Sequence, residues 1–242
     1  MLSASEHQPA PVPSHKISAH VRTTTPISSS NSTSDQAMSM PSQPLQHIWV
    51  VTGPAGSGKS TVGRYLQQEL GVPFLEGDDF HPPANKAKMS TGTPLTDADR
   101  WDWLISLRSA ATTILSPSVS GASASASTQA PSGVVVACSA LKKKYRDVMR
   151  VAAYGSPNVR IHFVYLKLEP ATLFARVSAR QAHYMKQGMV ESQLRDLEEP
   201  EEGEWDCLTV EVMEGTGLGE VQRSVSRVVE EVLVGYQNGT IA

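Results

Sequence analysis

Apolar residues along this chain follow two rhythms. Ile48-Trp49-Val50-Val51 is a short apolar run expected of a buried strand, Val134-Val135-Val136-Ala137-Cys138 is a continuous one suited to a strand buried on both faces of a parallel sheet, and Val159–Leu168 (VRIHFVYLKL) reads as a longer strand with alternation at His162 and Tyr165. Val72–Glu76 and Cys207–Val212 predict two further strands; Pro73 stands near the start of the first, where a missing N–H is tolerated. Between the strands the apolar positions recur every three or four residues. Val62, Tyr65, Leu66 and Leu70 predict a helix over Lys59–Leu70 that ends at Gly71. Trp101, Leu104, Ile105 and Leu107 predict another, opened by Thr96 and Asp99 at capping-box spacing. Further helices are expected over Ala140–Ala153, from Pro170 at a first helical position, over Met189–Leu197 and over Glu220–Tyr236. Ala84–Thr96 reads as a polar connection with turn signals at Gly92 and Thr93-Pro94. Five strands alternating with helices predict parallel pairing through right-handed crossovers, a three-layer α/β fold.

Composition divides the chain before chemistry does. Residues 1–45 are rich in Ser, Thr and Pro and poor in large apolar side chains, so they are expected to be a disordered tail. The tail lacks the apolar core of a signal peptide, and Lys16 and Arg22 against Glu6 and Asp35 make it a poor transit peptide. A second biased stretch, 116–133, reads as a flexible surface insertion in a single domain spanning 46–242. The net charge of −3 suggests no nucleic-acid footprint. No apolar run approaches the roughly 18 residues of a membrane span. Cys138 and Cys207 show no metal spacing and read as buried reduced thiols, consistent with the cytoplasm.

The loop after the first strand carries the strongest chemical signal. GPAGSGKST at 53–61 fits the P-loop pattern, with Gly53, Gly58, Lys59 and Ser60 at its defined positions. Gly53, Gly56 and Gly58 allow a tight turn with backbone N–H groups facing an anion, and Ala55, Ser57 and Thr61 complete the cradle at the helix start. Lys59 is expected on the β- and γ-phosphates of ATP and the Ser60 hydroxyl on Mg²⁺. The fold is therefore expected to be that of a P-loop kinase-like domain.

Other candidates are weaker taken singly. Asp78 and Asp79, at the end of the second strand, are placed to meet a second substrate; Asp78 reads equally as a general base, as a support for the metal through water, or as a turn residue. His81 before two prolines is often only a capped turn. Arg100 near a helix N-terminus is poorly placed for helix stability and hints at an anion or a carboxylate. The third strand ends in Ser139 with no carboxylate, so the usual Walker-B acid is absent there. Lys142-Lys143-Lys144 reads as a solvated helix face or a local anion contact. Arg176 and Arg180 share a helical face before a polar loop and suit a lid over about 179–190, although a solvated face explains them too. The acidic run Glu198–Glu204 reads most simply as a solvated loop.

Together, GPAGSGKST at 53–61, GDDFHPPANKAKMSTGTPLTDADR at 77–100, CSALKKKYRDVMR at 138–150 and ARQAHYMKQGMVESQLRDLEEP at 179–200 resemble the gluconokinases of the P-loop, thermoresistant family, distant relatives of shikimate kinase. The resemblance covers nearly all of the expected folded region. It implies transfer of the ATP γ-phosphate to the 6-hydroxyl of D-gluconate. Asp78 is then the expected base, with His81, Lys88, Arg100, Lys142, Arg146 and His183 expected at the sugar acid and Arg180 in the lid. The family often dimerises. Asp102 stands where the family often has Pro, which adds a negative charge near Arg100, and Tyr184 and Leu194 replace Phe. A related kinase with another acceptor, or a non-catalytic nucleotide binder, are the alternative readings.

Overall fold

The first strand, β1 (Gln46–Thr52), decides the architecture, because all seven of its residues are buried. Successive side chains on a strand point to opposite faces, so burying every one requires a layer on each side. Trp49 and Val51 enter one apolar cluster, and Ile48 and Val50 enter another. The computed structural model describes residues 44–116, 130–179 and 187–241. Nearly all of the expected tail, most of the 116–133 insertion and the 180–186 part of the expected lid lie outside them.

Among the described residues the chain runs β1, α1 (Lys59–Leu70), β2 (Phe74–Glu76), a 3-10 turn (Gly77–Phe80), α2 (Pro83–Ser90), α3 (Asp97–Leu115), β3 (Gly133–Ala137), α4 (Lys143–Tyr154), β4 (Val159–Leu168), α5 (Pro170–Ala179), α6 (Gln187–Asp196), β5 (Cys207–Val212) and α7 (Leu218–Gln237). The five strands form one sheet in the order β2-β3-β1-β4-β5, and every pairing is parallel. On one face, Val62 and Leu66 of α1, Leu173 and Val177 of α5, and Val221, Val225, Val229 and Val232 of α7 pack on Trp49, Val51, Val135, Val164 and Leu166. On the other, Trp103, Leu104 and Leu107 of α3 and Tyr145 and Met149 of α4 cover Ile48, Val50, Val134, Val136, Ile161 and Phe163.

Three departures from the sequence expectation have a clear local cause. The polar stretch after Pro82 contains a helix, α2, which Pro83 opens near its first turn. Expected from Ala140, α4 starts only at Lys143, because Ala140 adopts φ 37° and holds the strand exit out of helical geometry. The second strand starts at Phe74, since Pro73 offers no N–H to the ladder; its carbonyl still accepts from Val135 N at 2.9 Å. Both cysteines are unpaired; Cys138 is buried as expected, whereas Cys207 is only half-buried.

The strand order brings the loops after β1, β2 and β3 together at the carboxyl edge of the sheet. That crevice is where ligands of open α/β sheets bind. Gly77 makes the close approach possible: a Cβ there would lie 2.3 Å from the Ala137 carbonyl oxygen on β3.

Candidate active site

The P-loop is shaped as an anion cradle. Gly53, Gly56 and Gly58 all have positive φ (141°, 86° and 99°), a region costly for residues with a Cβ. A Cβ on Gly53 would also meet the Ser57 Oγ at 2.9 Å and the Leu166 carbonyl oxygen at 3.0 Å. Ser57 Oγ is buried with no hydrogen-bond partner, an orphaned polar atom in the phosphate cradle. The cradle therefore fits a polyphosphate. Beside it Gly56, Ser57, Gly58 and Thr61 open onto a hollow shared with Arg176, Thr216 and Leu218. Lys59 Nζ donates to the Pro54 carbonyl at 3.0 Å. The Ala55 N–H donates to Gln193 Oε1 at 2.7 Å, which ties the loop to α6.

Glu76, the last residue of β2, is the acid the sequence analysis passed over. The Ser60 hydroxyl, Asp78 and Lys59 all lie within electrostatic reach of its carboxylate. Burial pushes the Glu76 carboxyl above its ordinary range; the Ser60 hydroxyl works against that, and Asp78 adds to it. A hydroxyl and a carboxylate side by side next to a phosphate cradle are the hard oxygen donors Mg²⁺ takes, directly or through water. Where the usual Walker-B acid is absent, the end of β2 offers an acid beside the P-loop serine, and its signal in the sequence was that position.

Beyond the P-loop, at the ends of β3 and β2, lies a second cleft, lined in part by Asp78, His81, Arg100, Ser139, Ser192 and Gln193. Asp78 sits in the 3-10 turn with its side chain 74% exposed, so its carboxylate is accessible. His81 Nε2 lies 4.0 Å from it. The His81 ring is buried, stacked on Trp103 at 4.1 Å, and its Nδ1 has no partner. Burial lowers the His81 pKa to about 4, although Asp78 opposes the shift, so the ring is neutral at neutral pH. Trp103 Nε1 donates to the Gly77 carbonyl at 2.7 Å, so α3 fixes both the histidine and the Asp78 turn.

Cations flank this cleft, each on a carboxylate. Arg100 Nη1 donates to the Tyr145 hydroxyl at 3.0 Å and lies 3.3 Å from Asp196 Oδ2. Lys142 Nζ lies 3.1 Å from Asp97 and 2.9 Å from Asp196. Asp97 also accepts from Lys144 and the Tyr145 hydroxyl, and these donors, Lys144 first, hold its carboxyl well below the usual range. Lys88 pairs with Asp99 at 2.5 Å, within the capping box that opens α3. Lys88, more than Asp99's two bonds from Thr96, draws that carboxyl down to about 2.

Residues 48–200 match the family described as AAA domain. The probable gluconokinase of Schizosaccharomyces pombe is 43% identical over 173 residues, covering 72% of this chain and 83% of that protein. The thermoresistant gluconokinase of Escherichia coli is 39% identical, covering 69% and 85%. The chain belongs to the gluconokinase family. A gluconokinase from Sinorhizobium meliloti 1021 superposes with a TM-score of 0.60 at 35% identity, covering 79% of this chain and 98% of that structure.

For a gluconokinase-family chain, one expected substrate residue requires correction. Arg146 is 2% exposed, and its Nε and Nη2 bind Glu204 at 2.8 and 2.6 Å while Nη1 donates to the Leu141 and Glu198 carbonyls. It is a strut of the frame. Glu204, expected in a solvated loop, is the buried partner, and it also holds Arg150 at 2.6 Å. Arg150 continues the network to Asp206 at 2.7 Å. The acidic loop is thereby clamped onto α4, aided by Glu198, whose N–H donates to the Leu141 carbonyl and whose carboxylate accepts from Lys143 N. Nothing in the local sequence distinguished Glu204 from its acidic neighbours. Arg180 and His183 lie outside the described residues.

Proposed function

We propose that this gluconokinase-family protein transfers the γ-phosphoryl group of ATP to the 6-hydroxyl of D-gluconate, giving 6-phospho-D-gluconate and ADP. One observation carries the reading: an accessible carboxylate, Asp78, shares its cleft with Arg100 at the same carboxyl edge of the sheet as a phosphate cradle. A carboxylate acceptor calls for cations such as Arg100, which lines the cleft, and Lys142, which shares Asp196 with it, and a hydroxyl nucleophile calls for a base such as Asp78. Asp78 takes the proton from the 6-hydroxyl as that oxygen attacks the γ-phosphorus. The bond to the β-phosphate oxygen breaks and ADP leaves.

Lys59, the P-loop amides and Arg176 meet the charge on the phosphoryl oxygens, with Arg180 expected to join them. Bound Mg²⁺ supplies further charge neutralisation, and Ser60 with Glu76 would hold it. His81, neutral and braced by Trp103, lines the cleft beside Asp78; it, His183 and Lys88 are further expected contacts to the sugar acid. The site is expected to work in the cytoplasm. No helix among the described residues is long and apolar enough to cross a membrane.

The test is ADP release by the purified protein with Mg-ATP, alone and with D-gluconate, shikimate, D-glucose or AMP. Stimulation by gluconate alone supports the reading, and phosphorus NMR of the product identifies the esterified hydroxyl. Stimulation by another acceptor only, or by none while ATP binds, overturns it.

A further inference from the structure

Helix α6 presents one face to the acceptor cleft. Met189, Ser192 and Gln193 line it, and one turn beyond Ser192 the same face ends in Asp196. Both Asp196 oxygens are engaged, Oδ1 with Lys142 at 2.9 Å and Oδ2 with Arg100 at 3.3 Å. The two cations are largely withdrawn from water, with side-chain exposures of 18% and 12%. Arg100 lines the cleft that also holds Asp78. A carboxylate of the protein thus already occupies the cations best placed for a carboxylate of the substrate.

We propose that Asp196 is a specificity-determining residue: it is an internal stand-in for the substrate's carboxylate, exchanged when an acidic sugar binds. The inference rests on the reading that the cleft takes a sugar acid. Its physical basis is charge balance. Arg100, Lys142 and Lys144 face Asp97 and Asp196, three cations against two carboxylates. Lys144 and the Tyr145 hydroxyl stay on Asp97, so Asp196 is the anion whose two partners both need replacing if it leaves. An acidic ligand replaces both bonds with its own carboxylate. A neutral sugar offers no charge in return, and displacing Asp196 for it would leave two poorly solvated cations, with Lys144, sharing Asp97 alone. Selectivity of this kind comes from penalising the wrong ligand as well as attracting the right one. The helix does not depend on Asp196 for its seat, because Met189 and Val190 are buried and Gln193 holds the Ala55 amide at 2.7 Å.

Asp196→Asn separates this role from a structural one. KM and kcat for D-gluconate are measured for the wild type, D196N, D196A and, as a charge control on the exposed face of α7, E230Q; calorimetric titration with gluconate and thermal melts accompany them. With its competitor gone, gluconate is expected to bind tighter in D196N and D196A, and KM to fall roughly five- to tenfold with kcat within about twofold of wild type. E230Q should leave KM unchanged. If Asp196 instead only orients Arg100 and Lys142, KM rises; that result, or an unchanged KM, with the wild type active on gluconate, overturns the inference and leaves the proposed function standing. A wild type that neither binds nor turns over gluconate removes the proposed function, and this inference with it.

Discussion

Truncating Glu204 to alanine tests the reassignment of Arg146 from substrate contact to structural strut. Removing one partner from a buried ion pair costs about 3–5 kcal/mol, because the other charge is left without compensation. The structure points to the lower end. Arg146 would keep its bonds to the Leu141 carbonyl at 3.3 Å and the Glu198 carbonyl at 3.0 Å, and Arg150 would keep Asp206 at 2.7 Å and Asp147 at 2.6 Å. We expect E204A to lose about 3 kcal/mol, a fall in Tm of roughly 6–12 °C for a folded domain near 200 residues.

The pH dependence provides a second, independent readout. Burial works to raise the Glu204 pKa, yet Arg146 and Arg150 outweigh it and bring the folded value down to about 2 from 4.5. A depressed folded pKa means the contribution is complete above pH 4.5 and is lost as pH falls through about 2. The Tm gap between wild type and E204A should therefore be full at pH 7 and narrow progressively below pH 4.5. Calorimetry or urea unfolding with the gap followed across that range is the assay. The double variant R146M/E204L should recover most of the loss, since a well-packed apolar pair avoids the desolvation penalty altogether. A loss below about 1 kcal/mol, the scale of an exposed pair, would refute the buried-strut reasoning. So would a Tm gap that does not change with pH.

Three further outcomes follow from the site and the turn that holds it. Asp78→Asn should lower kcat by roughly 10²–10⁴-fold while ATP binding, measured by calorimetry, stays near wild type; retained turnover would remove Asp78 as the base. Glu76→Gln should shift the Mg²⁺ concentration needed for half-maximal activity upward by several-fold, and an unchanged metal titration would separate Glu76 from the ion. Gly77→Ala places a Cβ 2.3 Å from the Ala137 carbonyl, so the β2 exit must move; a loss of about 1–3 kcal/mol in urea unfolding is expected, with impaired activity because the Asp78 turn moves with it.

Much of the fold was legible because it rests on local physics. The runs at Val159–Leu168 and Cys207–Val212 form strands with the bounds their composition predicts, as does the Lys59–Leu70 helix with Gly71 as its αL cap. The capping box at Thr96 and Asp99 forms as its spacing foretold. Helix α2 was hidden because its residues, PANKAKMS, bury little beyond Asn85 and so carry no apolar stripe to read. The delay of α4 to Lys143 was equally invisible, since φ 37° at Ala140 follows from how the strand exit sits in the fold.

The sequence by itself determined the phosphate cradle and the strands that carry it. Glycine spacing and apolar period act over a few residues, so they can be read without knowing where the rest of the chain goes. Tertiary structure alone decided which charges meet. Arg146 finds Glu204 across 58 positions, and Arg100 and Lys142 converge on Asp196 from α3 and the entrance to α4. A lysine or glutamate looks the same in sequence whether it is solvated, paired or aimed at a ligand. Its role depends on burial and on the nearest opposite charge, and both exist only once the helices have packed on the sheet.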